Sequence, residues 1–354
     1  MKQILALITL GGLLAAATAQ AQVDIYITGS TAFRANTYRS VRLIYGGNLT
    51  GQNPADPNGS GSNSVTWAGT IPALFGGQTV TVRATYSGSA AGIQALTANS
   101  SLTFLSSSTA GDTSTTTHTA DLALSDVFQS STLFTTPALT DTNVGVQPFA
   151  WVKSSTTSAN VTNITIQQLQ AFLSGGVMPL SYFTGNSADA SLMHLVGRDS
   201  GSGTRITAEL DALFVGTPLL WAPNGSCVWA LSAGFSSGSG IAGVLNGACS
   251  ASIGYLGIAD AKTVNSGNNV LAYDGAKPFV GLITAPDYAP VRRGQYSLWS
   301  YEHLFKRTTA SANVNAFYGR LASEIDTDLA TSTTAIQVGT MLVSRLADGG
   351  PIAP

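Results

Sequence analysis

The segment 197–205, which reads Gly-Arg-Asp-Ser-Gly-Ser-Gly-Thr-Arg, is the part of the sequence best suited to bind an anion. The guanidinium of Arg198 is planar and always charged, so it can contact two oxygens of an oxyanion at once. Ser202, Gly203 and Thr204 stand at the predicted start of a helix, where backbone N–H groups lack intrahelical partners and the helix dipole is positive. This pattern predicts a binding site for a small oxyanion.

Turns of the same kind, rich in glycine, serine and threonine, follow other predicted strands. A single such turn is usually only a helix cap. Several of them in one chain, together with a well-placed arginine, favour a ligand site, because open α/β sheets bind ligands at the carboxyl ends of their strands. The predicted strands are 23–27, 79–86, 193–196 and 228–233, and the turns after them are 28–31, 87–89, 197–203 and 236–240.

Each of these turns leads into a segment with apolar residues at helical spacing, so strands and helices alternate along the chain. That alternation is typical of an α/β fold with parallel sheets covered by helices. A helix over 165–175 is predicted by the capping box of Thr165 and Gln168 and by the glycines at its end. Three further segments are interpreted as a surface loop (48–63), an added hairpin (65–82) and a mobile Ser/Thr-rich connection (106–119).

The first residues are typical of a secretory signal. Lys2 is followed by the apolar stretch 4–17, and Ala19-Gln20-Ala21 has the small-x-small pattern of a cleavage site. We therefore expect a signal peptide at 1–21 and a mature, periplasmic or secreted chain from about Gln22. No later segment has the length and apolarity of a membrane helix.

Composition limits the function. Hydrophobic residues make up 44% of the 354-residue chain and charged residues 10%, with a net charge of −2. The apolar content is enough for the cores of two domains. The chain lacks the basic surface that nucleic acids or anionic membranes require. The histidines (His118, His194 and His303) are scattered, so neither a metal site nor a cofactor is predicted.

The two cysteines, Cys227 and Cys249, are the only ones in the chain. An isolated even pair in an exported protein is first interpreted as one disulfide. We expect that bond to restrain the weakly patterned segment between them.

The motif from Arg198 to Thr204 resembles the R-x-x-G-S-G-T signature of periplasmic phosphate-binding proteins, the receptors of phosphate ABC transporters. Other segments resemble that family in the same order, so the resemblance covers most of residues 24 to 305. They are the first anion loop (27–33), the second (86–92), the D-x-A-x-S-D run (121–126), the QL-containing helix (164–176) and the G-x-I-G-Y strand (247–261).

The resemblance implies a type 2 periplasmic-binding architecture with a ligand cleft between two α/β domains. Domain I would combine 22–148 with 292–354, domain II would hold 149–291, and the crossover strands would lie at 147–152 and 291–298. It also implies capture of inorganic phosphate for a membrane ABC transporter permease, by a monomer that is not an enzyme. The ligand-binding residues so implied are Ser30 or Thr31, Ser89, Asp126, Arg198, Ser202, Gly203 and Thr204.

Asp126 is the residue expected to choose among anions. A carboxylate repels an oxyanion unless that oxyanion carries a proton to donate, as monohydrogen phosphate does and sulfate does not. A site that demands this hydrogen bond leaves Asp126 unpaired against sulfate, which is costly for a buried group. The simpler interpretation is that Ser125 and Asp126 only cap the following segment.

Other functions remain open at this point. Phosphate receptors often have an aspartate two residues after the arginine, where this chain has Ser200, so sulfate, molybdate or tungstate are alternative ligands. A surface or structural protein that keeps the fold without transport is the main rival. The run 238–243 fits a dinucleotide-binding G-x-G-x-x-G with Asp260 downstream, but its preceding strand is weak.

Overall fold

The computed structural model describes residues 22–56 and 58–354. The predicted signal peptide at 1–21 therefore lies outside the described residues. Within them, no helix is long and apolar enough to cross a membrane.

The strands alternate with helices along most of the chain. In chain order the strands are β1 (Val23–Gly29), β2 (Leu49–Asn53), β3 (Ser64–Thr70), β4 (Thr79–Thr85), β5 (Ser101–Leu105), β6 (Thr115–Thr119), β7 (Leu122–Ser125), β8 (Thr140–Lys153), β9 (Asn163–Ile164), β10 (Val177–Pro179), β11 (Leu192–Val196), β12 (Leu220–Pro223), β13 (Trp229–Ser232), β14 (Ser252–Gly257), β15 (Ala272–Tyr273), β16 (Val280–Leu282), β17 (Ala285–Asp287) and β18 (Trp299–Lys306).

The α-helices follow the same order. They are α1 (Arg34–Tyr45), α2 (Pro72–Phe75), α3 (Ser89–Thr97), α4 (Ile166–Gly175), α5 (Ser181–Thr184), α6 (Gly203–Asp211), α7 (Gly238–Asn246), α8 (Ile258–Ala261), α9 (Ala289–Arg292) and α10 (Ala312–Leu329). Helix α4 confirms its prediction: Thr165 and Gln168 form the capping box, and Gly176 ends the helix with a φ of 68°.

A mixed ten-stranded sheet runs through the molecule in the order β10-β11-β14-β8-β18-β7-β1-β4-β3-β2. β1 is parallel to β4 and β7, and β11 is parallel to β14, as the alternating pattern predicts. Between these parallel groups, β8 and β18 run antiparallel to each other and to their outer neighbours. The sheet is therefore mixed, with antiparallel pairs both in its middle and at its two ends.

The long strand β8 belongs to both halves of this sheet. Its first part, up to Pro148, pairs with β18, and its last part, from Phe149 to Lys153, pairs with β14. The predicted crossover at 147–152 lies inside β8, and the one at 291–298 leads from α9 to β18. The division of the chain into two domains stays a prediction.

Two large hydrophobic cores flank this region. One is built mainly by residues between Val146 and Tyr301, and the C-terminal residues from Ile336 to Ile352 pack against it. The other combines Val23 to Val144 with Leu304 to Ala335. A smaller cluster under α3 includes Tyr26, Ile93 and Phe104.

The structure differs from the sequence interpretation in three segments. The expected loop 48–63 contains β2, which forms the edge of the main sheet against β3. The expected mobile connection 106–119 contains β6, whose β-branched threonines pair with β5 in a hairpin. The strand expected at 228–233 is β13, which pairs with β12 in a separate ribbon rather than joining the main sheet.

The disulfide between Cys227 and Cys249 is present, with a Cα–Cα distance of 5.2 Å. This confirms the predicted pairing. The bond joins the turn before β13 to the segment before β14, so it ties the separate ribbon to the main sheet.

Candidate oxyanion site

The site is built where three chain segments turn from a strand into a helix. α3 begins at Ser89, α6 begins at Gly203, and α1 is preceded by Ser30 and Thr31 after β1. The first two helix starts touch, because the amides of the residues after Ser89 (Ala90 and Ala91) donate to the carbonyl of Gly201 at 3.1 and 3.3 Å. The backbone amides of Thr31, Ser89, Gly203 and Thr204 donate to no acceptor among the described residues. Such amides at helix starts attract an anion.

Two glycines allow this close approach. A side chain at Gly88 would collide with the carbonyl of Gly201, and Gly88 also has a φ of 111°, which favours glycine. A side chain at Gly203 would collide with the carboxylate of Asp126. Both positions therefore require glycine for the segments to meet.

Arg198 is held rigidly at one side of the site. Its side chain is 2% exposed; Nε donates to the carbonyl of Phe235 at 3.0 Å, and Nη2 to the carbonyl of Ser236 at 2.8 Å and to the hydroxyl of Thr31 at 3.1 Å. Its backbone amide donates to the hydroxyl of Tyr255 at 3.1 Å. Nη1 makes no hydrogen bond to the part of the chain that the structure describes. Nε and Nη2 of the guanidinium are thus fixed by the protein, and Nη1 can donate to a ligand.

Burial lowers the pKa of Arg198, and the nearby Asp126 carboxylate acts in the opposite direction. An arginine stays protonated even so, because its intrinsic pKa is far above neutral pH. The site therefore keeps one fixed positive charge in a region from which water is largely excluded, where it attracts an anion strongly.

Asp126 provides the opposing carboxylate and is 1% exposed. It accepts hydrogen bonds from the hydroxyl of Ser89 and, at 3.1 Å, from the hydroxyl of Thr204. Its own amide donates to the Ser89 hydroxyl at 3.3 Å. Burial raises the pKa of Asp126, while the bond from Ser89 and the charge of Arg198 lower it. The carboxylate is thus connected directly to two predicted site residues.

The remaining predicted hydroxyls are also buried. Ser30 accepts a hydrogen bond from the amide of Phe33 at 3.3 Å, and Ser202 accepts one from the amide of Arg205 at 3.3 Å as the N-cap of α6. Neither hydroxyl donates to a partner among the described residues, so each still has a hydrogen to give to a ligand. The structure therefore brings all the predicted site residues into one region.

No family model and no curated protein matches this sequence. Several solved structures match most of it, among them the following two. A putative phosphate ABC transporter substrate-binding protein from Clostridium perfringens, with bound phosphate, is 15% identical over 89% of this chain and 99% of its own, with a TM-score of 0.55. An ABC-type phosphate transport receptor from Vibrio cholerae is 17% identical over 88% and 99%, with a TM-score of 0.53.

The chain has the fold of type 2 periplasmic binding proteins. The predicted fold class is thereby confirmed. At these identities the likeness establishes the fold alone, and the assignment of a ligand depends on the site residues themselves.

Sequence reasoning missed several groups around the candidate site. The carbonyls of Phe235 and Ser236 orient Arg198, but backbone acceptors carry no residue signature. Tyr255 lies in the G-x-I-G-Y segment, and its hydroxyl could have been expected to face the neighbouring strand that leads to Arg198. Glu302 has no motif around it in β18 that would single it out.

Groups left outside the predicted site have structural partners. Arg34 donates to Asn63 at 3.1 Å and lies 3.8 Å from Asp260, and Arg205 pairs with Glu209 at 2.7 Å. The histidines lie elsewhere: His118 stacks on Tyr26, His194 stacks on Trp229, and His303 bonds Asp141 at 2.9 Å. No group of three metal-ligating side chains occurs within residues 22–56 and 58–354.

Proposed function

We propose that this protein is an exported solute-binding protein that captures inorganic phosphate for an ABC transporter. The observation that carries the proposal is the placement of buried Arg198 and buried Asp126 among helix-start amides that have no acceptor in the described part of the chain. A cation and amide donors attract an oxyanion, and a carboxylate in the same region requires that the oxyanion carry a proton.

The ligand would be held without covalent chemistry. Nη1 of Arg198 and the amides of Thr31, Ser89, Gly203 and Thr204 would donate to the oxyanion. Ser30 and Ser202 would add neutral hydroxyl donors. Asp126 would accept the proton of monohydrogen phosphate, and this contact would distinguish phosphate from sulfate.

The comparisons support this assignment at the level of the fold. The Clostridium perfringens structure has phosphate bound, and both matched proteins are described as components of phosphate ABC transport. By analogy, a membrane permease would be the partner and the protein would not be an enzyme. The signal-like residues 1–21 support export to the periplasm or the medium.

The test is calorimetric titration of residues 22–354, freed of phosphate by unfolding and refolding, with phosphate, sulfate, molybdate and tungstate. We expect phosphate to bind most tightly and to compete with the others. Tighter binding of another oxyanion would reassign the ligand. Absence of binding by all four would favour a structural protein that keeps the fold without a receptor function.

A further inference from the structure

Glu302 is an unusual residue for the middle of a sheet. It lies in β18 with an exposure of 0%, and no donor among the described residues makes a hydrogen bond to either of its carboxyl oxygens. A buried polar group without a partner destabilises a protein, so such a group calls for an explanation. Its position near the candidate site gives one.

The face of the sheet that carries Glu302 lies under the start of α1. Glu302 is in register with Gly145 of β8, and a side chain at Gly145 would meet the ring of Phe33 at 3.3 Å. Phe33 is the N-cap of α1 and follows Ser30 and Thr31. Leu304, which comes next on the same face, packs in the core that contains Phe33. Glu302 is therefore directed at the first anion loop.

The groups that act on Glu302 define its charge. Burial raises its pKa well above 4.5, the carboxylate of Asp126 raises it further, and the hydroxyl of Ser30 lowers it. An ionised Glu302 would also raise the pKa of buried Tyr86, in the segment after β4. His303 is adjacent in β18, but its Nδ1 is occupied by Asp141. No cation among the described residues is one of the groups that favour its ionised form. Burial, the neighbouring Asp126 carboxylate and an incoming anion therefore leave Glu302 as the neutral acid.

We propose that Glu302 is a positioning residue that donates its acid proton to Ser30 and thereby fixes the Ser30 hydroxyl as a donor to the bound oxyanion. The inference rests on the proposed function. A serine hydroxyl can accept two hydrogen bonds and donate one. The amide of Phe33 occupies one acceptor position, at 3.3 Å. A proton from Glu302 occupies the other, so the hydroxyl hydrogen points to the ligand.

This role differs from that of Asp126. A fixed hydroxyl donor strengthens the binding of every oxyanion, whether or not that oxyanion carries a proton. Glu302 therefore sets the overall affinity, and Asp126 sets the preference for phosphate. Loss of one neutral hydrogen bond corresponds to a decrease in affinity of about tenfold.

The test compares Glu302→Gln and Glu302→Met by phosphate titration between pH 6 and 9. Glutamine keeps a neutral donor, so we expect an affinity within about threefold of wild type at pH 7. Methionine has no donor, so we expect about tenfold weaker binding of phosphate and sulfate alike, with a melting temperature equal to wild type or higher. The ratio of the wild-type affinity to the Glu302→Gln affinity should fall as the pH rises, because only glutamate can ionise. The change of phosphate's own protonation with pH affects both proteins equally and cancels in this ratio.

Ser30→Ala supplies the matched control. If Glu302 acts through Ser30, the double variant Ser30→Ala/Glu302→Met should bind no more weakly than Ser30→Ala alone. If wild type binds phosphate and Glu302→Met binds equally well with the same pH profile, Glu302 is only a packing residue and the inference is wrong. If wild type binds no oxyanion, the proposed function is wrong, and this inference is then wrong as well.

Discussion

Replacement of Asp126 by asparagine tests the proposed choice of ligand most directly. The carboxylate is buried and accepts hydroxyl bonds from Ser89 and Thr204. Asparagine has nearly the same shape, and either hydroxyl can rotate to accept from its amide nitrogen, so the local structure should persist. The change removes one negative charge and adds one donor at the same place.

The magnitude follows from the charge. Two unit charges about 4 Å apart near a protein surface interact by about 4 kcal/mol. The hydroxyls of Ser89 and Thr204 offset part of the repulsion that sulfate would meet, so roughly 2–4 kcal/mol remains. Asp126→Asn should therefore narrow the phosphate-to-sulfate affinity ratio by roughly 30- to 1,000-fold. Most of the change should be a gain in sulfate affinity.

The assay is paired calorimetric titration of wild type and Asp126→Asn with phosphate and with sulfate at fixed ionic strength. Asp121→Asn is the control, because Asp121 precedes β7 and its carboxylate accepts from the amide of Tyr26 at 2.9 Å. An unchanged affinity ratio in Asp126→Asn would refute the reasoning. Asp126 would then be only a structural acceptor for Ser89 and Thr204.

Three further predictions concern the fixed charge, the disulfide and a buried acid. Arg198→Lys should weaken the binding of phosphate and of sulfate equally, by about 100-fold or more, since lysine keeps the charge but loses the planar set of guanidinium donors. A changed phosphate-to-sulfate affinity ratio in calorimetric titrations would contradict this. Replacement of Cys227 and Cys249 by serine should lower the free energy of unfolding by up to about 3 kcal/mol in urea titrations and leave phosphate affinity intact. Burial raises the pKa of Asp348 from 3.8 to about 6, so the native state favours its protonated form. Its contribution to the free energy of unfolding should be full below about pH 4 and should disappear as the pH rises through 6, a difference of about 3 kcal/mol. Asp348→Asn should abolish this pH dependence. If the free energy of unfolding depends on pH equally in both proteins, the prediction is wrong.

Much of the fold could be predicted because local and long-range signals agree. The capping box at Thr165 and Gln168 depends only on neighbouring residues, and the structure has it as expected. The strand-to-helix turns of the site are equally local, and a parallel pairing of β1 with β4 and β7 then brings the first two turns and Asp126 to one edge.

What the sequence could not predict depends on partners that are distant along the chain. The polar segment 49–53 becomes a strand only because β3 offers it an open edge. The carbonyls that hold Arg198 belong to Phe235 and Ser236, 37 and 38 positions away, and any residue types could supply them. Glu302 sits in β18, a strand of mixed polar and apolar residues, and nothing in that mixture indicates that its carboxyl is fully buried.

The burial of the candidate site also has a kinetic consequence. Arg198, Asp126 and Ser30 are each exposed by 2% or less, so an anion that has only collided with the surface has not yet reached these groups. Entry requires the surrounding segments to separate first. The observed rate of association should therefore stop rising with ligand concentration once it reaches the rate of that separation. The same barrier slows escape, so the bound anion should leave more slowly than its affinity and a diffusional encounter would imply.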